Sequence, residues 1–191
     1  MTAQLDLQPA GLRLIRLVEA IPDDALGWPT PCARYTVGDL LDHVGDAALA
    51  FTGAAHKRPL ERAPAGDASR LGADWQARIP ADVVSLIEAW QDPEAWTGMT
   101  QAGGVDLPGE LAGVVALDEI LIHGWDLAKA TGLPAGYDGP GLEAVYATVQ
   151  HFRADGIEGL FGPEVPAPDD APLLDRILCL AGRRPDWEPP R

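Results

Sequence analysis

The stretch VVALDEILIHGWDLAKA, Val114–Ala130, decides how this chain is read. Pro108 ahead of it suits the first turn of a helix, where a missing N–H costs little. Gly132-Leu-Pro after it is a stop signal, so the pattern predicts one helix from Pro108 to about Thr131. Inside that helix Glu119 and His123 stand four residues apart, on one face and one turn from each other. Val115, Ile122 and Leu127 surround the pair, which predicts that part of this helix is buried. An unpaired buried carboxylate is expensive, and a divalent cation is one group that compensates it. A direct Glu119–His123 hydrogen bond is another.

Working outward, further apolar runs carry helical spacing. Leu5–Ala20 places Leu5, Leu12, Ile15 and Val18 on one face, and Pro22–Tyr35 reads as a loop rich in Pro, Asp and Gly. Thr36 then has the features of an N-cap, with Asp39 three residues later as the capping-box acid. The helix that follows carries Leu40, Leu41, Val44, Ala47, Ala48 and Phe51, with His43 on that apolar face. His56–Gly66 reads as an exposed loop. A third helical region runs from Asp67 to Trp90, with a break or kink expected at Pro80. Thr97–Leu107 has turn glycines and reads as a short, irregular hairpin. A fifth helix is expected over Pro140–Ala154, a Pro/Gly/Asp-rich loop over Gly156–Pro172, and a last short helix over Leu173–Leu180. The expected fold class is all-α: a helical bundle in a single domain, 1–191, with additional short helices and longer loops than a bundle needs.

His43, Glu119 and His123 together form a two-histidine, one-carboxylate set that leaves coordination positions open, as in catalytic zinc sites and facial-triad sites. A single histidine on an apolar face is more often a core or boundary residue than a ligand, so His43 carries weight only with the other two. Asp126, three residues after His123, shares their face. It reads as a second-shell acceptor that orients an imidazole, or as a structural group, in preference to a fourth ligand. Asp118 lies about 100° round the helix from Glu119 and is the poorer candidate. His56, beside Lys57 and Arg58, reads as solvated, and His151 as suited to a helix C-terminus. Cys32 has no base nearby in sequence and reads as a buried structural thiol, as does Cys179. Trp28, Trp75, Trp90, Trp96 and Trp125 read as core or rim residues, with Trp125 a candidate wall for a pocket at the metal.

Composition narrows the classes of function. The chain has 191 residues, 47% of them hydrophobic, enough for one folded domain with a substantial core. A net charge of −15 argues against nucleic acid and anionic membranes, because phosphates would be repelled. Two distant cysteines do not make a disulfide framework, no basic segment precedes an apolar block at the N-terminus, and no apolar run is long enough to span a bilayer. A soluble, reducing, cytoplasmic setting is therefore expected. There is no nucleophile-elbow motif and no phosphate-loop lysine.

Four segments resemble the DinB/YfiT-like superfamily, in the branch typified by the metal-binding domain of mycothiol-dependent maleylpyruvate isomerase. They are Thr30-Pro-Cys-Ala-Arg-Tyr-Thr-Val-Gly-Asp-Leu-Leu-Asp-His43, Leu107-Pro-Gly-Glu110, Asp118-Glu-Ile-Leu-Ile-His-Gly-Trp-Asp-Leu127 and Gly182-Arg-Arg-Pro-Asp-Trp187. The resemblance implies a DinB-like four-helix bundle holding a metal on His43, Glu119 and His123. It implies zinc as the ion, with nickel, iron and manganese also suited to such donors. It also implies a low-molecular-weight thiol, mycothiol in the isomerase, as cosubstrate, and a small electrophile as the second substrate. The chain departs from the isomerase in being too short for an additional C-terminal domain.

Two functional readings follow from these expectations. The first is a zinc-dependent, mycothiol-type thiol transferase or isomerase. The second is a non-catalytic metal- or thiol-binding helical module. A homodimer is compatible with either. A helical interaction protein without metal, in which Glu119 and His123 only bond to each other, is the plainest third.

Overall fold

The computed structural model describes residues 5–60, 65–154 and 161–190. The chain is all-α apart from one small hairpin. Helices α1 (Gln8–Ala20), α2 (Val37–Ala55) and α3 (Trp75–Ala89) precede strands β1 (Met99–Ala102) and β2 (Val105–Pro108); α4 (Gly109–Thr131), α5 (Leu142–Ala154) and α6 (Leu173–Leu180) follow. Short 3₁₀ turns occupy Asp23–Ala25, Ala68–Arg70 and Pro93–Trp96. Parts of the two expected loops, residues 61–64 and 156–160, lie outside the described residues.

Helices α1 to α4 form the bundle. Both α1 and α2 pack on α3 and on α4, so α1 and α2 occupy opposite corners. Consecutive helices at opposite corners cannot be joined by a tight turn, which accounts for the long segments between α1 and α2 and between α3 and α4. Helix α5 packs on α4, and α6 on α5. Val18, Leu40, Leu41, Ile79, Leu117 and Leu127 are fully enclosed where the four bundle helices meet.

Local signals set most of the boundaries. The Thr36 hydroxyl accepts from the Asp39 N–H, and the Asp39 carboxylate accepts from the Thr36 N–H at 2.9 Å, a complete capping box at the start of α2. Helix α4 ends at Gly132, as its stop signal predicts. Pro108 stands one residue outside α4, as its N-cap and as the last residue of β2, so the helix begins later than expected.

Other expectations change. The buried stripe of α1 is Leu7, Ala10, Gly11, Leu14 and Val18, while Leu12 is exposed; two apolar series overlap in this helix, and the one meeting α3 and α4 wins. The break expected at Pro80 falls instead at Gly72, whose φ of 72° is left-handed, and α3 runs through Pro80. The hairpin is regular, pairing Ala102 with Val105 across Gly103-Gly104. Both of those glycines have positive φ, 58° and 79°, the signature of the tight turn that matches strand twist. Trp28, 42% exposed, is a rim residue outside the core.

The hairpin end of the bundle is cemented by two tryptophans. Trp90 and Trp96 meet edge to face with ring centroids 5.0 Å apart. The Trp90 indole donates to the Phe51 carbonyl and that of Trp96 to the Trp90 carbonyl. Gly113 on α4 sits against both rings; a Cβ there would lie 2.4 Å from Trp96 and 2.9 Å from Trp90. Gly113→Ala should therefore destabilise the fold by about 1–3 kcal/mol through overpacking, despite the helix-propensity gain of about 1 kcal/mol. Urea denaturation reads the difference, and an unchanged or higher midpoint would show that the rings give way.

Candidate metal centre

Helices α2 and α4 face each other near their middles, and this contact brings the expected donors together. His43 Nε2 lies 3.2 Å from Glu119 Oε2, and His123 Nε2 lies 3.3 Å from the same oxygen. The imidazoles of His43 and His123 meet edge to face at 5.0 Å between centroids. One ligand atom from each of the three residues falls within 4.8 Å of the other two.

Hydrogen bonds behind His123 determine which nitrogen faces the cluster. Its Nδ1 donates to Asp126 Oδ2 at 3.1 Å. Asp126 has no solvent exposure and also accepts from Arg183, with Nη2–Oδ2 at 2.9 Å and Nε–Oδ1 at 3.3 Å. Burial pushes the Asp126 carboxyl up, but the His123 hydrogen bond and the Arg183 charge outweigh it and hold the group below the usual carboxylate range. Asp126 thus stays ionised and accepts the hydrogen bond of the His123 Nδ1–H. Its spacing put it within reach of an imidazole, and Arg183 is the partner that the spacing could not name.

Nε2 of His123 is consequently left with its lone pair toward the Glu119 carboxylate. Two acceptors cannot stably face each other at 3.3 Å, so something positive belongs between them. A proton is one solution: burial disfavours the charged ring, yet hydrogen bonds to Asp126 and Glu119 outweigh it and lift His123 to about 10. Burial likewise raises the Glu119 carboxyl, and the His123 and His43 hydrogen bonds overcome this and hold it well below the carboxylate range. A divalent cation is the other solution. The two short separations match the edge of a tetrahedron whose corners lie about 2.0 Å from its centre, the usual zinc–nitrogen distance. The donor types and spacing fit such an ion.

A pocket of about 480 Å³ opens over these donors. Its walls include Pro31–Tyr35 ahead of α2, Phe161–Pro163, and Gly182 and Arg183 after α6. Tyr35 stacks on His43 at 5.5 Å, and its hydroxyl accepts from the Gly66 N–H. Gly66 rests so closely on α2 that a Cβ would lie 2.2 Å from the Asp39 carbonyl, leaving room for glycine alone.

Asp118, set aside from its angle on the helix, lines this pocket and is 6% exposed. Its Oδ1 has no hydrogen-bond partner among the described residues, and burial, with the neighbouring Glu119 charge, pushes the carboxyl up to about 8. The signal available in sequence was a second acid inside an apolar run. Cys32 is buried as expected but also faces the pocket, and its sulfur groups with His123 and Asp126 within 4.8 Å. Trp125 walls a different cavity, against α1. His56 caps the C-terminus of α2 and His151 lies in the last turn of α5, both outside the cluster.

A family model described as the mycothiol maleylpyruvate isomerase N-terminal domain matches residues 7–128, which include every donor of this cluster. The chain belongs to that family. Two uncharacterized proteins of Mycobacterium tuberculosis, one from strain CDC 1551 and one from strain H37Rv, are each 29% identical over 174 residues, covering 87% of this chain and 90% of theirs. Among solved structures, the crystal structure of the mycothiol-dependent maleylpyruvate isomerase superposes with a TM-score of 0.64 at 19% identity, a likeness of fold. It covers 97% of this chain and 93% of that solved chain. Arg183 and the Phe161–Pro163 wall lie beyond the stretch matched by the family model and complete the pocket from outside it.

The Arg183–Asp126 pair is testable separately from any ligand. Arg183→Met leaves a buried carboxylate without its cation and should cost about 3–5 kcal/mol in urea unfolding. A loss under 1 kcal/mol, of the order of an exposed pair, would show that the guanidinium is not needed to hold Asp126.

Proposed function

We propose that this protein is a divalent-metal-dependent enzyme, with zinc as the preferred ion, which uses a mycothiol-type thiol to transfer to, or isomerise, a small electrophile. The reading rests on one observation above all: two imidazole nitrogens converge on a single carboxylate oxygen at the floor of an open pocket. His43 Nε2, Glu119 Oε2 and His123 Nε2 would hold the ion and leave it a vacancy toward the pocket. Bound there, the ion would supply acidity to a coordinated thiol, making a thiolate available near neutral pH.

The rest of the chemistry belongs to the chain. Asp126 fixes the His123 tautomer and raises its basicity, and Arg183 keeps Asp126 ionised. Tyr35 packs on the His43 ring and limits its rotation. Asp118, buried and partly unpartnered, is placed to hold a proton or to bond a polar atom of a bound substrate. Residues 1–191 act as one domain in this reading: α2 and α4 carry the donors, and the segment after α6 locks one of them. No helix among the described residues is long and apolar enough to cross a membrane, in keeping with small water-soluble substrates. The family name supports a thiol cosubstrate over the non-catalytic alternative.

Protein purified without a histidine tag should contain about one equivalent of divalent metal, or take it up when zinc is added. His43→Ala and His123→Ala should each lose it, as read by elemental analysis. Weakened metal affinity of about 10–100-fold is expected for Asp126→Ala, the usual effect of removing a ligand's hydrogen-bond partner. Absence of stoichiometric metal before and after zinc addition would overturn the proposal. Thiol-dependent turnover of electrophiles should vanish in the apo-protein and return with zinc; metal binding without any such turnover would favour the binding module.

A further inference from the structure

A separate cavity of about 320 Å³ lies on the other side of α4 from the metal centre, within the usual range for small-ligand pockets of about 300–1,000 Å³. Leu121 and Ala128 line it, and they sit about 200° and 180° round the helix from Glu119. Leu14 of α1 faces Leu121 and Trp125 of α4 across the space, giving it apolar walls.

The cavity's charged groups are all of one sign. Arg13 and Arg16 are the charged residues that line it; Lys129, 5.8 Å from the centroid of the Trp125 ring, stands outside the lining and within the field of Asp186. The chain carries 14 Lys and Arg against 29 Asp and Glu, so a cavity edged only by cations runs against its overall charge. Among the described residues neither Arg13 nor Arg16 forms an ion pair with a carboxylate. Arg13 is fixed in place by donating to the Gly136 carbonyl, with its guanidinium 5.9 Å from the Tyr137 ring centroid. Asp6 and Asp138 act on the Tyr137 hydroxyl, so acids stand near the Arg13 side of the cavity.

We propose that this cavity is a second binding site, for a small amphipathic carboxylate, independent of the metal centre. The carboxylate would pair with Arg16 and with the free N–H groups of Arg13. The hydrocarbon or aromatic body would lie between Leu14, Leu121 and Trp125. A neutral molecule of the same shape would leave the guanidinium groups unused, so charge as well as apolar area selects the ligand.

Octanoate and octan-1-ol share a tail and differ in charge, and titrating the full chain with each tests the assignment. Calorimetry should give one octanoate site with a Kd below about 1 mM, and octan-1-ol should bind at least about tenfold more weakly. Amide resonances of Leu14, Leu121, Gly124 and Trp125 should shift with octanoate. Arg16→Gln, an exposed change, should weaken octanoate about tenfold and leave octan-1-ol unchanged. His43→Ala should keep full octanoate affinity, which separates this site from the metal centre. Four results would overturn the proposal: equal affinity for acid and alcohol; shifts at Tyr35, His43 and His123 instead; unchanged affinity in both Arg16→Gln and Arg13→Gln; or octanoate binding weaker than about 10 mM.

Discussion

The hydrogen-bonded series Arg183–Asp126–His123 is the constraint on which the candidate centre depends. A fully enclosed carboxylate needs compensation, and here it receives a guanidinium on one side and an imidazole N–H on the other. That arrangement leaves the ring no choice of tautomer. Nε2 is turned toward Glu119, and the same oxygen of Glu119 is already approached by His43. The place for a proton or a cation beside Glu119 is a consequence of how one buried charge is neutralised.

Helix α4 carries this arrangement because it touches nearly everything else. It meets α2 along the donor face, α1 along the opposite face, and α5 beyond them. Its acids and histidine therefore occur inside an apolar run, instead of on a solvated face. The small residues of the helix serve the same end: Gly113 lets two tryptophans close the bundle beside the hairpin. Polar function and close packing coexist because they occupy different angular sectors of one long helix.

Features that depend on neighbours along the chain were legible in the sequence. The Thr36–Asp39 capping box, the Gly132 stop and the Glu119–His123 spacing each require only a few residues of context. Convergence of His43 on that pair was also anticipated, and the fold brings them within contact. What sequence did not reveal depends on long-range packing. Arg183 is 57 residues from the Asp126 it neutralises. Asp118 carried one sequence signal, an acid inside an apolar run, but helical angle places it off the donor face and only its burial gives that signal weight. The α1 stripe was misassigned because Leu12 and Leu14 are both apolar and only the position of α3 and α4 chooses between them. Gly72 gave the break expected at Pro80, since a left-handed residue ends a helix outright whereas proline removes a single bond.

The donors of the centre stand on helices, whereas much of its mouth is loop: residues 31–35, 161–163 and 182–183 come from three distant parts of the chain. Rigid elements tolerate little alteration, while connecting segments accept substitution and changes of length readily. On the proposed function, the donors and the mouth are separable parts of the molecule except at Arg183, which belongs to both. Relatives built on this plan could then differ at the entrance around Arg183, with the two central helices left untouched.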